Sequence, residues 1–166
     1  LEPLTRRVFS AAGISEGMRV LDVGCGAGDV TALVAQLVGP NGAVIGCDRD
    51  PAQVAAAATR WATMPAVSFQ TAELMDPPAG PFDAVVGRLV LMYQPDIEAA
   101  VARLAAVLRP GGVMAFIEMN IRPDAPGPTQ WPPPSALELR LNSLIVQAFA
   151  FTGVQPYLLD AKAFEN

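Results

Sequence analysis

Short apolar segments alternate along the chain with segments of helical periodicity, and this alternation constrains the fold more than any other feature. The connecting segments repeat apolar residues every three or four positions, as helices packed on a sheet do. Five apolar runs have the length of buried strands: 18–23, 43–47, 66–71, 82–87 and 113–118. Strands and helices in alternation are typical of a parallel sheet covered on both faces. We therefore predict an α/β fold with a doubly wound, mostly parallel sheet.

The size and composition of the chain indicate one soluble globular domain spanning residues 1–166. Hydrophobic residues make up 52% of the sequence and charged residues 16%, which is enough apolar material for a core of its own. No apolar run approaches the roughly 20 residues that span a bilayer. We expect no association with a membrane.

The charge and the reactive residues exclude several classes of partner. The net charge is −5 and the 11 basic residues are scattered, so nucleic acid is not an expected partner. The chain has no histidine and two cysteines, Cys25 and Cys47, a composition that disfavours both a zinc site and a disulfide framework. We expect no bound metal and a location in the reducing cytoplasm.

The region after the fifth apolar run has a different character. Residues 122–134 are rich in proline and predict an irregular crossing loop or lid. Ser135 and Glu138 have the spacing of a capping box, and apolar residues then recur at helical spacing. We predict a helix over 135–151, followed by a weak turn and a short tail.

A glycine-rich turn follows the first apolar run and opens a helical segment. Gly24, Gly26 and Gly28 let a ligand approach the backbone and the positive end of the helix dipole. Asp48 follows 20 residues after Gly28, at the end of the next strand, where a carboxylate can accept both hydroxyl hydrogens of a ribose. Together these features indicate a nucleoside ligand.

The position of Asp22 separates the candidate nucleosides. The dinucleotide fingerprint is G-x-G-x-x-G, whereas this chain has glycine at 24, 26 and 28, with an acid two residues before the first. An acid at that position would repel a pyrophosphate and would suit a ligand that carries a cation. S-adenosylmethionine carries an ammonium and a sulfonium.

At these residues the sequence resembles the class I S-adenosylmethionine-dependent methyltransferases, of the small-molecule type found in ubiquinone biosynthesis. Residues 20–28, Val-Leu-Asp-Val-Gly-Cys-Gly-Ala-Gly, are similar to the first signature of that family. Three further segments agree in order and spacing: 46–48, 81–86 and 108–112. The resemblance covers a core of about residues 18–118, and it implies a Rossmann-like fold.

The resemblance also implies roles for individual residues on the cofactor side. Asp22 and the loop of Gly24, Cys25, Gly26 and Gly28 would hold the methionine end of S-adenosylmethionine, and Asp48 its ribose. The adenine would have three neighbours: Arg49, Glu73 and Leu74. Glu73 stands where the family usually has aspartate. Asp22 alone could equally be a satisfied loop carboxylate.

Residues at the ends of the fourth and fifth strands are candidates for the transferable methyl group and the acceptor. Arg88 would lie beside that methyl group, and Met92 and Tyr93 would line the acceptor side. Each of the three also has a purely structural interpretation as an ion pair or a packed side chain. Glu118 is either a supporting acid or a base, with the supporting role favoured. With no histidine, the bases to consider are Glu118, Asp83, Tyr93 or a group on the substrate itself, and no catalytic residue is assigned.

The resulting functional prediction is transfer of a methyl group from S-adenosylmethionine to a small organic acceptor. One alternative is a non-catalytic module that binds S-adenosylmethionine or S-adenosylhomocysteine. A nicotinamide-dependent oxidoreductase is a weaker alternative because the glycine spacing is wrong for it.

The family sheet ends in an antiparallel strand pair beside the fifth strand. After a helix at 135–151 too few residues remain for that pair, so the resemblance implies that the chain is truncated at both ends. The strand at 113–118 would then be an uncovered apolar edge. We expect either a missing segment or a homodimer formed through this edge.

Overall fold

The computed structural model describes residues 2–118, 148–152 and 155–159. Four α-helices lie in this part of the chain: α1 (Glu2–Ala11), α2 (Asp29–Val38), α3 (Pro51–Arg60) and α4 (Ile97–Ala105). A 3-10 helix, Leu91–Tyr93, precedes α4. The strands are β1 (Arg19–Val23), β2 (Ala43–Asp48), β3 (Val67–Thr71), β4 (Phe82–Arg88), β5 (Leu108–Ile117), β6 (Ala148–Thr152) and β7 (Gln155–Leu159).

The first five strands form one parallel sheet in the order β3-β2-β1-β4-β5. Helices α2, α3 and α4 connect β1 to β2, β2 to β3 and β4 to β5, whereas residues 72–81 join β3 to β4 without a helix. The strand order reverses beside β1, which has β2 on one side and β4 on the other. The predicted α/β fold with five parallel strands is confirmed.

Side chains of alternate strand residues enter two different cores because the sheet is covered on both faces. Val20 and Val86 pack with Val8 of α1 and Val34 of α2 on one face. On the other face, Leu21, Val85 and Phe116 pack with Leu104 of α4. This two-sided burial explains why the strands consist of nearly continuous apolar runs.

Local sequence features account for the start of α3. Asp50 caps α3, where its side chain accepts a hydrogen bond from the Ala52 N–H at 2.8 Å, and Pro51 is the first helical residue. Helix α4 ends at Ala105, and residues 109–112 belong to the long strand β5. A register shift between Phe82 and Ala84 accommodates the longer strand against β4.

The prediction for the C-terminal region is wrong where the structure describes it. Residues 148–151, the end of the predicted helix, belong to strand β6, and β6 pairs with β7 in an antiparallel hairpin. An antiparallel strand pair is therefore present in the region expected to lack it, as a two-stranded sheet separate from the five-stranded one. Phe149 and Phe151 alternate with small residues, a period-two pattern that favours a strand and that the helical stripe obscured. The predicted loop 122–134 and helix residues 135–147 lie outside the described residues.

Strand β6 also runs alongside β5, with Cα atoms of the two strands within 8 Å. Strand β5 therefore has a neighbouring strand that was not expected, although β6 belongs to a separate sheet. Self-association of the chain through the edge of β5 stays a prediction. None of the helices described is long and apolar enough to cross a membrane.

Candidate functional site

The glycine loop lies at the carboxyl end of the sheet, where the strand order reverses. It connects β1 to α2, and its neighbour across the reversal is the turn that follows β4. In open α/β sheets ligands bind in the crevice at this point. Gly24, Gly26 and Gly28 have φ angles of 67°, 50° and 80°, a left-handed conformation that favours glycine.

The three glycines differ in what surrounds them. A Cβ atom on Gly24 would lie 2.5 Å from Cγ2 of Val90, and one on Gly28 would lie 2.8 Å from both Phe69 and Trp61. A Cβ on Gly26 would meet nothing within 4 Å. The loop is thus packed at its two ends and open at its centre, which leaves room for a ligand against Gly26.

Trp61 holds the far end of the loop, a contact that the sequence did not predict. Its Nε1–H donates a hydrogen bond to the Ala27 carbonyl at 2.9 Å. Next to it, Arg60 forms an ion pair with Asp29, with Nη2 and Oδ1 2.8 Å apart. A partly buried indole N–H needs an acceptor, and that need is the only sequence signal for this contact.

Asp48 ends β2 beside the open centre of the loop. Its Oδ2 accepts the Gly26 N–H at 2.9 Å and its Oδ1 accepts the Asp50 N–H at 3.0 Å. The carboxylate is half-buried. An ionised carboxylate offers about four acceptor positions, so two remain for a ligand.

Asp22 lies beneath the loop and not on its open face. The residue is only 1% exposed, and the Thr31 hydroxyl donates a hydrogen bond to its Oδ2 at 2.6 Å. Burial raises the pKa of Asp22 from 3.8 to about 7, against the lowering effects of the Thr31 hydrogen bond and the Arg88 charge. Any charge on Asp22 would act on a ligand across the loop backbone. Thr31 was not anticipated from the sequence.

Cys25 contributes backbone rather than thiol chemistry. Its N–H donates to the Cys47 carbonyl at 3.0 Å, which ties the loop to the end of β2. Both cysteines are buried, and burial raises the pKa of the Cys25 thiol well above its usual range and that of Cys47 to about 12. The two thiols stay protonated at neutral pH.

The residues expected near an adenine lie around the ends of β2 and β3. The Ala72 N–H donates to the Asp48 carbonyl at 3.0 Å, so the segment after β3 is joined to the Asp48 backbone. Glu73 and Arg49 are exposed next to this junction. Leu74 is buried in the core on the α4 face, as a packing residue.

Arg88 ends β4 and points to the face covered by α1. Its Nη1 donates to the Thr5 hydroxyl at 3.3 Å, and its charge favours ionisation of Asp22. It also lines a cleft of about 310 Å³. The other lining residues are Glu2, Asp29, Ala32, Leu33, Gln36 and Trp61.

The remaining candidates lie beyond Arg88. Met92 and Tyr93 belong to the 3-10 helix, where Tyr93 is 69% exposed. Glu118 does not stand free as a base: its carboxylate accepts hydrogen bonds from the N–H groups of residues 90, 91 and 92.

Asp83, also considered as a base, lies at the start of β4, at the opposite end of the sheet from the glycine loop. The Arg19 N–H and the Arg109 guanidinium hold the pKa of its carboxyl below the usual value. In the described part of the chain, no cluster of three acidic, cysteine or histidine side chains could hold a metal ion.

Comparison with known proteins gives consistent matches. A family model described as a methyltransferase domain matches residues 20–112. Nocamycin O-methyltransferase of Saccharothrix syringae is 37% identical over 150 residues, which cover 88% of this chain and 50% of that protein. Aklanonic acid methyltransferase DauC of Streptomyces sp. (strain C5) is 32% identical over 168 residues, covering 88% and 76%.

The fold has close structural neighbours as well. The crystal structure of a SAM-dependent methyltransferase from Aquifex aeolicus matches with a TM-score of 0.66 at 24% identity, covering 83% of this chain and 76% of that one. The chain spans about half the length of several curated relatives that it matches. The matched segment contains the glycine loop, Asp48 and Arg88, and on these grounds the chain belongs to the methyltransferase-domain family.

Proposed function

We propose that the crevice binds S-adenosylmethionine and that the protein transfers its methyl group to a small organic acceptor. The observation that carries this proposal is the pairing of Asp48 with the open centre of the glycine loop. The carboxylate is fixed by the Gly26 N–H at 2.9 Å and keeps acceptor positions for two ribose hydroxyls. Family membership supports the same cofactor.

The residues of the site fit this cofactor better than a dinucleotide. Gly26 leaves space for a ligand to lie against the backbone, and the buried acid Asp22 lies directly beneath the loop. A carboxylate at that place disfavours a pyrophosphate and favours a cationic ligand. Arg49 and Glu73, both exposed next to Asp48, would flank the adenine.

When bound, S-adenosylmethionine supplies an electrophilic methyl group on a sulfonium. The chain's own contribution would be position and electrostatics: the loop and Asp48 would fix the donor, and Met92 and Tyr93 would line the acceptor side. Arg88, which is bonded to Thr5, would contribute its charge at the end of β4. Asp83 is too remote to act as a base, and Glu118 is engaged by backbone N–H groups. Tyr93, solvent or a group on the acceptor itself therefore remain to take up the proton of the acceptor.

The proposed acceptor is a small molecule. Two relatives, nocamycin O-methyltransferase and aklanonic acid methyltransferase, are named for methyl transfer to small molecules. The net charge of −5 disfavours a nucleic acid acceptor. Two buried, unpaired cysteines support a reducing compartment such as the cytoplasm as the place of action.

A pair of substitutions tests the assignment of Asp48. Asp48→Asn removes the charge that would accept the ribose hydroxyls, so we expect the affinity for S-adenosylhomocysteine to fall by about tenfold to a hundredfold. Asp50→Asn, two residues away, keeps the cap of α3 and should bind as the wild type does. Isothermal titration calorimetry measures both. Equal affinity of the Asp48→Asn variant and the wild type would refute the ribose assignment.

Catalysis is tested separately from binding. Wild-type protein with S-adenosylmethionine labelled in the methyl group, incubated with a panel of small phenols, carboxylic acids and quinols, should label at least one acceptor. Stoichiometric binding of S-adenosylhomocysteine without transfer to any acceptor would favour the non-catalytic binding module instead.

A further inference from the structure

Glu118, directly after β5, is half-buried and makes an unusual set of contacts for a carboxylate at a strand end. Its Oε1 accepts the N–H groups of Val90 at 3.1 Å and Leu91 at 2.9 Å, and its Oε2 accepts the N–H of Met92 at 3.2 Å. Three successive backbone donors thus converge on one side chain that is 26 to 28 residues away in sequence. Charge-assisted bonds of this type are among the stronger ones in proteins.

The turn that Glu118 binds, residues 89–92, is strained. Leu89 has a φ of 58°, in the left-handed region, which costs a leucine about 1–2 kcal/mol. Its N–H donates to the Ile117 carbonyl at 2.7 Å, so the end of β5 holds this residue as well. Such a conformation persists only where surrounding contacts impose it. Ile117 and Glu118 are those contacts.

The same turn touches the cofactor loop. The side chain of Val90 occupies the space above Gly24, where a Cβ atom would lie 2.5 Å from Cγ2 of Val90. Val90 also fills the space beside Gly87, at the end of β4. A displacement of Val90 would therefore remove the support on which the first residue of the glycine loop rests.

We propose that Glu118 is a positioning residue: its carboxylate fixes the 89–92 turn so that Val90 supports Gly24 and the 3-10 helix keeps its place beside the crevice. The consequence of this role is tighter binding of the cofactor, and that consequence rests on the proposed function. The role differs from that of a general base, because the Glu118 oxygens already accept three hydrogen bonds from the turn. A positioning role requires an acceptor at this position and not a proton carrier.

Amide hydrogen exchange, followed by NMR, tests the role without any cofactor. In Glu118→Ala we expect the amides of residues 90–92 to exchange at least about tenfold faster, and the Gly26 amide, which donates to Asp48, to accelerate as well. The matched control is Asp83→Ala, which also removes a carboxylate that accepts a backbone N–H, at the other end of the sheet. In the control, the exchange rates of the amides of residues 90–92 and of Gly26 should change only as far as the change in global stability accounts for.

The conservative variant and the cofactor complete the test. Glu118→Gln keeps one acceptor oxygen, so both its exchange rates and its affinity for S-adenosylhomocysteine should lie between those of the wild type and Glu118→Ala, whose affinity should fall by about tenfold. If Glu118→Ala does not fold, Glu118→Gln against Asp83→Ala gives the same comparison.

Exchange at residues 90–92 and at Gly26 no faster than in Asp83→Ala would overturn the proposal. An affinity for S-adenosylhomocysteine equal to that of Asp83→Ala would overturn it too. Failure of the wild type to bind S-adenosylhomocysteine would refute the proposed function, while the exchange rates would still decide the role of Glu118.

Discussion

Asp22 is the residue at which the demands of folding and of ligand binding conflict. It is 1% exposed, and burial raises its pKa from 3.8 to about 7. Between these two pH values the folded protein keeps a proton on Asp22 that the unfolded chain has already released. The stability that Asp22 contributes is therefore present at low pH and lost as the pH rises towards 7. A carboxylate kept at such a cost beneath a ligand loop is consistent with a role towards a cation.

The substitution Asp22→Asn tests this conflict. Asparagine cannot ionise, so the variant should be more stable than the wild type, and its advantage should be about 2 kcal/mol larger at about pH 8.5 than at about pH 5.5. Urea unfolding of both proteins at the two pH values measures the difference. An advantage that does not change with pH would show that the pKa of Asp22 is not raised.

At the scale of elements, side chains from neighbouring segments pack against both ends of the glycine loop. Trp61 and Phe69 close the space at Gly28, Val90 closes it at Gly24, and only Gly26 faces open space. Two otherwise similar glycine substitutions should therefore have different consequences.

Gly28→Ala should destabilise the fold by about 2–3 kcal/mol, because it combines left-handed strain with a Cβ 2.8 Å from Phe69 and Trp61. Gly26→Ala meets no neighbour and should cost only about 1–2 kcal/mol of strain, while its methyl group blocks the ligand surface. Unfolding in urea and titration with S-adenosylhomocysteine separate the two effects. Equal losses of stability would contradict the packing described for this loop.

The elements also show what could be predicted from sequence. Strands β1 to β5 were predictable because buried parallel strands are continuous apolar runs, and the Asp50-Pro51 start of α3 has a local cap. The β6–β7 hairpin was missed because an apolar helical stripe and a strand alternation overlap at Ala148. The contacts of Trp61 and Glu118 join segments 26 or more residues apart, and local periodicity carries no information about such partners.

At the scale of the whole molecule, the strand order β3-β2-β1-β4-β5 brings three parts of the site together at the carboxyl end of the sheet. They are the glycine loop, Asp48 and the turn after β4. That Asp48 lies beside the glycine loop was predictable from sequence spacing alone. The burial of Asp22 and the supporting role of the 89–92 turn depend on how α2 and β5 pack around that end. The site is therefore a property of the sheet's topology as much as of its motifs.

The most direct test of the central claim is a thermal melt of the wild-type protein with S-adenosylhomocysteine, with NAD as the control. A ligand at about 100 times its dissociation constant stabilises the folded state by about 2.7 kcal/mol, which for a chain of this size raises Tm by roughly 5–10 °C. We expect this rise with S-adenosylhomocysteine and none with NAD. No rise with S-adenosylhomocysteine, or an equal rise with NAD, would contradict the assignment of the crevice to S-adenosylmethionine.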